Sequence, residues 1–395
     1  MITMLTAYTK ELDDIEAACN EIIERLDASH VIKKNRVGLI TCDSEFVDAG
    51  IVEALCKRLD FDTIGITTRG TAVNGQSGFD LLSIAALASD DIRFSAVMSD
   101  PITPDDIDAP IEAAYRKGVS KYENEKPSLI LAYPPMLLER KVSVGQLVAP
   151  LKRLNGDDIP VFGTLSNDQT PQLSTCKTIY NGEAFPDTFG MVFFFGEVHP
   201  QFFTQSISLQ NIQKQYAVVT DAECFIVKTV NDMPFSHYLQ RLGFAPRNFE
   251  ALYMLPFIIN FKNSGANSTI TCSVYSITKE GYAAFGEEIP VGATIALGKL
   301  DANDVLNTTR ETVTRIADLQ AQGKASCALI YSCLTRNIIL GSNYFAELNI
   351  VSDALDGVMP FQCCYSGGEI CPAPDASGKS ASYIHNFTFI ACVLT

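Results

Sequence analysis

The sequence has no tryptophan, only four histidines and few positive charges for its length. Among 395 residues, 30 are Lys or Arg and 46 are Asp or Glu, which gives a formal net charge of −16. An acidic excess of this size excludes broad binding to nucleic acid or to an anionic membrane surface. Pro134, Pro135 and Pro256 break the most apolar stretches, so none approaches the roughly 20 residues of a membrane-spanning helix. The amino terminus shows no secretory leader, and a cytoplasmic protein is predicted.

Metal-binding and catalytic motifs are also lacking. The four histidines, His30, His199, His237 and His385, are not spaced as metal ligands, and no Cys-x-x-Cys motif occurs. No dinucleotide fingerprint, hydrolase nucleophile elbow or zinc-protease motif is present. Ala373–Ser380 loosely matches a phosphate-binding loop, but prolines interrupt it and a strand follows, so a surface turn is predicted. Most of the twelve cysteines lie in apolar runs and are predicted to be buried, reduced thiols.

The sequence does contain a repeated order of elements. Three segments, which begin at Val37, Ser128 and Cys327, each read strand, helix, strand and strand. Strands that are apolar on both faces and joined by helices indicate parallel neighbours. The predicted strands are Val37–Cys42, Asp62–Thr68, Phe79–Leu87, Ser128–Tyr133, Ile159–Leu165, Phe189–Gly196, Cys327–Cys333, Met359–Tyr365 and Phe387–Thr395. The predicted helices between them are Phe46–Leu59, Val142–Leu154 and Phe345–Ala354. The predicted fold class is therefore α/β, with two closely packed domains whose mixed, mainly parallel sheets are flanked by helices.

Three other segments complete this outline. Residues 1–34 are expected to form one short amphipathic helix, and residues 202–298 alternate short strand-like runs with one helix, Phe235–Leu242. A longer helix, Ala302–Gln322, follows Asp301, which is its predicted N-cap. A polar stretch near residue 215 marks the predicted boundary between the domains. The two predicted domains are residues 1–215 and 216–395.

Polar residues follow the predicted strands at the edge where α/β sheets usually bind ligands. In the third unit the candidate binding residues are Cys333, Arg336, Glu347, Tyr365, Ser366, Gly367, Gly368, Glu369 and Asn386. Arg336 suits a carboxylate and Glu369 an ammonium group, so the set suits a zwitterion such as an amino acid. An internal ion pair of Arg336 with Glu347 or Glu369 fits the sequence equally well. The equivalent loops of the first half add Thr67, Thr68, Asn167 and Asp168, which line the same cleft or a second one.

The third unit resembles the carboxyl-terminal domain of the FIST family, which is named for F-box and intracellular signal transduction proteins. The matching segments are Ala328–Gly341, Met359–Pro372 and His385–Leu394. The first half is similar to the amino-terminal FIST domain in Val37–Ser44, Thr63–Gly70, Ile159–Asp168 and Thr178–Glu183. Two features depart from the family pattern: Thr335 stands in place of a glycine before Arg336, and Gln362, Cys363 and Cys364 replace a glycine–aromatic pair.

The resemblance implies a sensory module that recognises small molecules such as amino acids. Members of the family are often fused to histidine kinase, chemotaxis or cyclic-dinucleotide modules. No such module is recognisable in this sequence, so a stand-alone sensor is expected to signal through a separate protein of one of these kinds.

Three alternatives remain open from the sequence. Some FIST-type proteins are similar to haem-binding nitric oxide sensors, and an axial ligand would then come from His385, His237 or His199. An enzyme is also conceivable, with Cys333 as nucleophile and His385 as base. The last alternative is a structural interaction partner that binds no small molecule. The leading expectation includes neither a cofactor nor catalysis.

Overall fold

The computed structural model describes residues 1–27, 33–122, 125–137, 140, 142–156, 159–170, 173–206, 216–244, 255–261, 269–374 and 380–395. The strands are β1 (Thr3–Thr9), β2 (Asn35–Cys42), β3 (Thr63–Thr67), β4 (Thr71–Val73), β5 (Gln76–Gly78), β6 (Leu82–Ser89), β7 (Arg93–Met98), β8 (Leu129–Tyr133), β9 (Val161–Thr164), β10 (Thr178–Tyr180), β11 (Glu183–Phe185), β12 (Gly190–Phe195), β13 (Gln201–Gln205), β14 (Ala217–Glu223), β15 (Ile226–Val230), β16 (Met233–Pro234), β17 (Leu255–Asn260), β18 (Thr269–Ile277), β19 (Ala283–Phe285), β20 (Thr294–Leu297), β21 (Cys327–Cys333), β22 (Phe361–Ser366), β23 (Glu369–Pro374), β24 (Ser380–His385) and β25 (Phe389–Leu394). The helices are α1 (Ile15–Asp27), α2 (Ser44–Asp48), α3 (Ile51–Cys56), α4 (Asp108–Ser120), α5 (Val144–Asn155), α6 (Phe235–Arg241), α7 (Ala302–Ala321), α8 (Leu334–Leu340) and α9 (Ala346–Leu355).

Three sheets share one plan. Their strand orders are β1-β6-β2-β3-β10-β11, β7-β12-β8-β9-β23-β24 and β13-β25-β21-β22-β4-β5. In each sheet the first two strands of a repeated unit are parallel, as predicted, in the pairs β2–β3, β8–β9 and β21–β22. The third strand of each unit returns antiparallel beside the first. The prediction of mainly parallel sheets is wrong, because the leading strand, the returning strand and the edge hairpin of every sheet are antiparallel to their neighbours.

The three units exchange hairpins in a circle. The first unit spans β1 to β6, the second β7 to β12, and the third β13 to β25. The hairpin β4–β5 of the first unit pairs with β22 of the third unit, and β10–β11 of the second pairs with β3 of the first. The hairpin β23–β24 of the third unit pairs with β9 of the second. Each sheet is therefore completed by a hairpin from another unit, and the units cannot be separated without leaving open edges.

The sheets enclose a common apolar core and carry helices on their outer faces. Buried side chains of all three sheets meet in this core, where the hydroxyl oxygens of Tyr133 and Tyr331 lie 3.2 Å apart. Phe162 stacks on Tyr331 with ring centroids 5.0 Å apart. Separate apolar clusters lie between each sheet and its helices. No helix among the described residues is both long and apolar enough to cross a membrane.

A closed β-barrel is inserted between β13 and α7. Its six antiparallel strands follow the circle β14-β20-β17-β18-β19-β15, which the pairing of β15 with β14 closes. Phe235 of α6 packs edge to face on Phe257 and Phe285 in the core of the barrel. The sequence predicted short strands and one helix in this region, but the predicted fold class did not include a barrel.

The helix predictions have mixed outcomes. α7 begins after Asp301, as predicted, and Asp301 and Asp304 form a capping box that satisfies backbone N–H groups of the first turn. The predicted helix Phe46–Leu59 is instead divided into α2 and α3, because Gly50 adopts a left-handed conformation with φ of 78°. Residues 1–34 hold β1 as well as α1, so the prediction of a helix alone is wrong. Residues 207–215, next to the predicted domain boundary, lie outside the described residues, as does most of Ala373–Ser380.

Candidate functional site

The loops that follow the second strands of the three units meet at one point, here called the loop junction. Thr68 Oγ1 donates to the carbonyl oxygen of Tyr365 at 2.8 Å, and Asn167 Nδ2 donates to the same oxygen at 2.7 Å. The Asn167 N–H also donates to the Thr67 carbonyl oxygen at 3.0 Å. Thr67, Thr68 and Asn167 were predicted on equivalent loops and Tyr365 at the end of the corresponding strand of the third unit, and the structure brings the four together.

Two glycines of the third loop complete the loop junction. The Gly367 N–H donates to the Leu165 carbonyl oxygen at 3.1 Å, and the Leu165 N–H donates to the Gly368 carbonyl oxygen at 3.1 Å. A Cβ added at Gly367 would lie 2.6 Å from the backbone oxygen of Ser166 and 2.3 Å from Cε of Met136. A glycine is therefore required at position 367 for the close approach of the two loops.

The Gly367→Ala variant is expected to lose about 1–3 kcal/mol of unfolding free energy, the usual range for overpacking a tight contact. Gly368→Ala is the matched control, because a Cβ there would meet its nearest neighbours only at 3.4–4.0 Å. Chemical denaturation of both variants measures the difference. Equal stability of the two variants would contradict the requirement for glycine at position 367.

Asp168 forms hydrogen bonds within its own loop. Its Oδ1 accepts from the N–H and the hydroxyl of Thr170, both at 2.7 Å. Its Oδ2 accepts from the N–H of Thr175 at 2.6 Å and from the Thr175 hydroxyl at 2.8 Å. Because both oxygens are occupied and the residue is only 3% exposed, Asp168 orders the loop beside the junction.

Arg336 and Glu347 form a buried ion pair. Arg336 Nη2 lies 2.8 Å from Glu347 Oε1, and both side chains are 0% exposed. Nε of Arg336 donates to the same oxygen at 2.9 Å. The Ser332 hydroxyl donates to Glu347 Oε2 at 2.7 Å. The internal ion pair considered from the sequence is thus present, with Glu347 as the partner of Arg336 rather than Glu369.

Other hydrogen bonds of Arg336 connect α7 to this ion pair. Nη2 donates to the carbonyl oxygen of Val305 at 2.9 Å, and to the hydroxyls of Thr308 and Thr309 at 3.0 Å each. Thr309 in turn donates to Glu347 at 2.7 Å. The ion pair therefore joins α7, α8 and α9, and Glu347 connects it to Ser332 near the end of β21. The carboxylate of a ligand would have to displace these contacts.

Glu369 is the buried carboxyl group with an unused oxygen. The side chain is 0% exposed, and its Oε2 accepts from the Thr388 hydroxyl at 2.7 Å. Its Oε1 has no hydrogen-bond partner among the described residues. Burial raises the pKa of Glu369 to about 8, and the hydrogen bond from Thr388 and the charge of Arg336 only partly oppose this rise. The carboxyl group is therefore largely protonated at pH 7.

Ser366 and Cys333 are the last residues of the neighbouring strands β22 and β21. Ser366 Oγ donates to the Gly368 carbonyl oxygen at 2.7 Å and accepts from the Gly368 N–H at 3.1 Å, which fixes the turn before Glu369. Burial and the nearby charge of Glu369 raise the pKa of the Cys333 thiol to about 12. A protonated, buried thiol is a poor nucleophile, so the geometry does not support the enzymatic alternative.

The twelve cysteines are free thiols, and Cys224, at the turn between β14 and β15, is exposed. Iodoacetamide is therefore expected to label Cys224 in the native protein and Cys333 only after unfolding, because Cys333 is 3% exposed. Peptide mapping by mass spectrometry measures the rate at each thiol. Labelling of native Cys333 as fast as Cys224 would restore the nucleophile hypothesis.

Asn386 attaches the barrel to this region. Its N–H donates to the Thr271 carbonyl oxygen at 2.9 Å, and its Oδ1 accepts from the Ser273 N–H at 3.0 Å. Its Nδ2 donates to the hydroxyl of Tyr275 at 3.0 Å. All of these contacts are with β18, so the predicted ligand contact Asn386 holds the barrel next to the cluster around Glu369.

The histidines do not fit the haem alternative. The ring of His385 is buried, its Nε2 lies 3.1 Å from the Cys371 carbonyl oxygen, and burial lowers its pKa to about 4. His237 is exposed beside an open groove of about 400 Å³ whose other lining residues are Met233, Gln240 and Arg241. Haem requires apolar walls and an available axial nitrogen. His199 is exposed between β12 and β13. His237 and His199 lack apolar walls, and His385, whose Nδ1 has no partner among the described residues, lines none of the described grooves.

Comparison with known families is decisive for this chain. Residues 36–233 match the model of the FIST N domain, and residues 234–372 match that of the FIST C domain. The chain belongs to the FIST family. FIST domains are sensory domains of signal transduction that bind small ligands, and they are not catalytic. The predicted resemblance is confirmed for both halves of this FIST protein. No curated protein matches the chain.

Sequence reasoning missed several residues around the FIST C motifs. Thr388 is a hydroxyl residue inside an otherwise apolar run, which was a usable signal for a buried hydrogen bond. Thr308 and Thr309 lie on a helix whose apolar stripe predicted only packing. Tyr275 and Ser166 carry no sequence signal, because their places depend on how the barrel and the second unit meet the third.

Proposed function

We propose that this FIST protein is a cytoplasmic sensor of a small molecule that carries a primary ammonium group, such as an amino acid, and that the ligand binds at Glu369. The observation that carries the proposal is the buried, unpartnered Oε1 of Glu369. An unused acceptor in a buried site costs free energy unless a donor fills it. An ammonium group supplies three donors and a charge that the ionised carboxylate would balance.

The surrounding residues support this proposal. The hydroxyl of Ser166, which is also buried and unpartnered, belongs to the loop that pairs with Gly367 and Gly368. Ser366, Gly367, Gly368 and Glu369 would contact the ligand. Of the other predicted site residues, Cys333 and Tyr365 would flank the ligand. The remaining ones would support the site from behind: Arg336, Glu347, Asn386, Thr67, Thr68, Asn167 and Asp168.

Access to Glu369 would require the barrel to move. The described grooves of about 470, 460 and 400 Å³ are not lined by any of these residues. Asn386 connects the barrel to the turn between β24 and β25, and Thr388 of the same turn binds Glu369. Ligand binding would therefore change the position of the barrel, and a separate histidine kinase, chemotaxis or cyclic-dinucleotide protein would read this change. Twelve free thiols suit the reducing cytoplasm.

A thermal-shift panel tests the proposal. At 100 times its dissociation constant a ligand adds about 2.7 kcal/mol, which is several degrees for a protein of this size. Amino acids and small amines are expected to raise the melting temperature, whereas carboxylates without an amine and haem are not. Glu369→Gln should abolish the shift, and the control Glu280→Gln, an exposed barrel carboxyl group, should retain it.

The pH dependence gives a second readout. Because Glu369 is protonated below about pH 8, ammonium binding requires loss of its proton. Affinity is therefore expected to increase by up to about tenfold per pH unit between pH 6 and 8. A shift that carboxylates alone produce, or that survives Glu369→Gln, would contradict the proposed site.

A further inference from the structure

Two adjoining grooves lie at the opposite end of the first sheet from the loop junction. One, of about 460 Å³, is lined largely by apolar side chains and is called the apolar groove. The other, of about 470 Å³, is lined mainly by polar and charged side chains and is called the polar groove. Arg36, Leu59, Asp60 and Phe61 line both, so the two grooves meet along a shared ridge.

The apolar groove lies between the sheet and α1. Ala86 and Ala88 form its floor on β6, and Ile23 and Leu26 of α1 form one wall. Pockets of this size and character accommodate small molecules.

Arg36 presents unused donors on the ridge. Its Nη2 lies 2.5 Å from Asp60 Oδ2, and its Cζ lies 5.2 Å from the centre of the Phe61 ring. Nε and Nη1 of Arg36 donate to no other described residue, and the side chain is 32% exposed. A guanidinium group held on one side by a carboxylate and a ring has its remaining edge available for a bidentate anion.

The polar groove is locally cationic on an acidic protein. It contains Lys34, Arg36 and Lys121 against Asp60 and Asp62, whereas the whole chain carries a charge of −16. Lys121 Nζ lies 3.7 Å from Asp62, which is too long for a strong hydrogen bond. The cations of this groove thus exceed its carboxylates by one, which favours a negatively charged group there.

We propose that the two grooves form a second binding site, for a single-chain amphiphile with an anionic carboxylate or phosphate headgroup. The alkyl or aryl chain lies in the apolar groove over Ala86 and Ala88. The headgroup lies on the free edge of Arg36 and faces Lys34 and Lys121. This site is independent of Glu369 and of the ligand proposed for it.

Isothermal titration calorimetry with decanoate, decyl phosphate and decyltrimethylammonium, each below its micelle concentration, tests the inference. Both anions are expected to bind at one saturable site. Decyltrimethylammonium, which has an alkyl chain of the same length, is not expected to bind there. Arg36→Gln is expected to weaken anion binding at least about tenfold. Arg93→Gln should bind like the parent. Arg93 also pairs with a carboxylate and lies over a ring, at 4.5 Å from the Tyr122 centroid, but it does not line either groove.

If Arg36→Gln does not fold, reversal of another charge in the polar groove provides a second test. Lys34→Glu is expected to weaken the binding of decyl phosphate. The control Lys33→Glu changes a neighbouring side chain that pairs with Asp90, and it is expected to leave this binding unchanged. Equal binding of the cationic amphiphile, equal affinity of Arg36→Gln and the parent, or no anion binding at all would each overturn the inference. Glu369→Gln should bind decanoate normally, so failure here is distinct from failure of the sensor site.

Discussion

Replacement of Arg336 by alanine is expected to lower the free energy of unfolding by about 3–5 kcal/mol, the range for breaking a buried ion pair. Arg336 and Glu347 are both 0% exposed, so the variant leaves the Glu347 carboxylate buried without its cation. The carbonyl oxygen of Val305 and the hydroxyls of Thr308 and Thr309 lose a donor as well. Denaturation in urea, followed by circular dichroism, measures the loss.

An exposed ion pair provides the control. Arg153 Nη2 lies 2.6 Å from Asp108, with the two side chains 51% and 59% exposed. Arg153→Ala should therefore cost less than about 1 kcal/mol. The double variant Arg336→Met, Glu347→Leu removes both charges and should be more stable than Arg336→Ala. If Arg336→Ala costs no more than Arg153→Ala, the buried pair does not hold the helices together.

The Glu369→Gln variant is expected to be more stable than the parent at pH 8, by up to about 4 kcal/mol. Burial raises the pKa of Glu369 from 4.5 in the unfolded chain to about 8 in the fold. Between these values the folded state holds a proton that the unfolded state has lost, so the stability of the parent falls as the pH rises. Glutamine is neutral at every pH and removes this loss.

The useful window for this measurement is pH 6.5 to 8. His385 acts in the opposite direction below it, because burial lowers its pKa from 6.5 to about 4, and stability is lost as the pH falls through that interval. Above pH 6.5 the contribution of Glu369 remains, and the parent is expected to lose about 2 kcal/mol of unfolding free energy by pH 8. Urea midpoints across this window should fall in the parent and stay level in Glu369→Gln. Parallel curves would show that Glu369 has an ordinary pKa.

Local patterns were sufficient to predict the strands and helices that begin each unit. The strand Cys327–Cys333 was predicted with its observed bounds, because an uninterrupted apolar run of that length leaves little choice. The exchanged hairpins could not be predicted in the same way. β4 has three residues, and its Thr71 pairs with Cys364, about three quarters of the chain length away in sequence. A strand this short carries no pattern that identifies a distant partner.

The candidate site was predictable as a set of residues but not as an arrangement. The sequence placed Thr68 and Tyr365 at the ends of equivalent strands and Asn167 just after another, and the structure joins the three through one carbonyl oxygen. For Arg336 the sequence left a ligand contact and an internal pair equally open. Burial of Arg336 decides for the internal pair. This burial depends on α7, which contacts Arg336 and follows the barrel along the chain.

The circular exchange of hairpins has a consequence for how such a chain is assembled. Each unit has one strand edge that lacks a neighbour and one hairpin that its own sheet does not accept. Contacts of this head-to-tail kind produce either an open filament or a ring, depending on the rotation between successive copies. Here the circle is completed by the third unit, which gives its hairpin to the second while the first gives its hairpin to the third. The protein thus corresponds to a ring of three subunits. Its three units belong to one chain and are joined by loops, whereas the subunits of an oligomer would be related by symmetry.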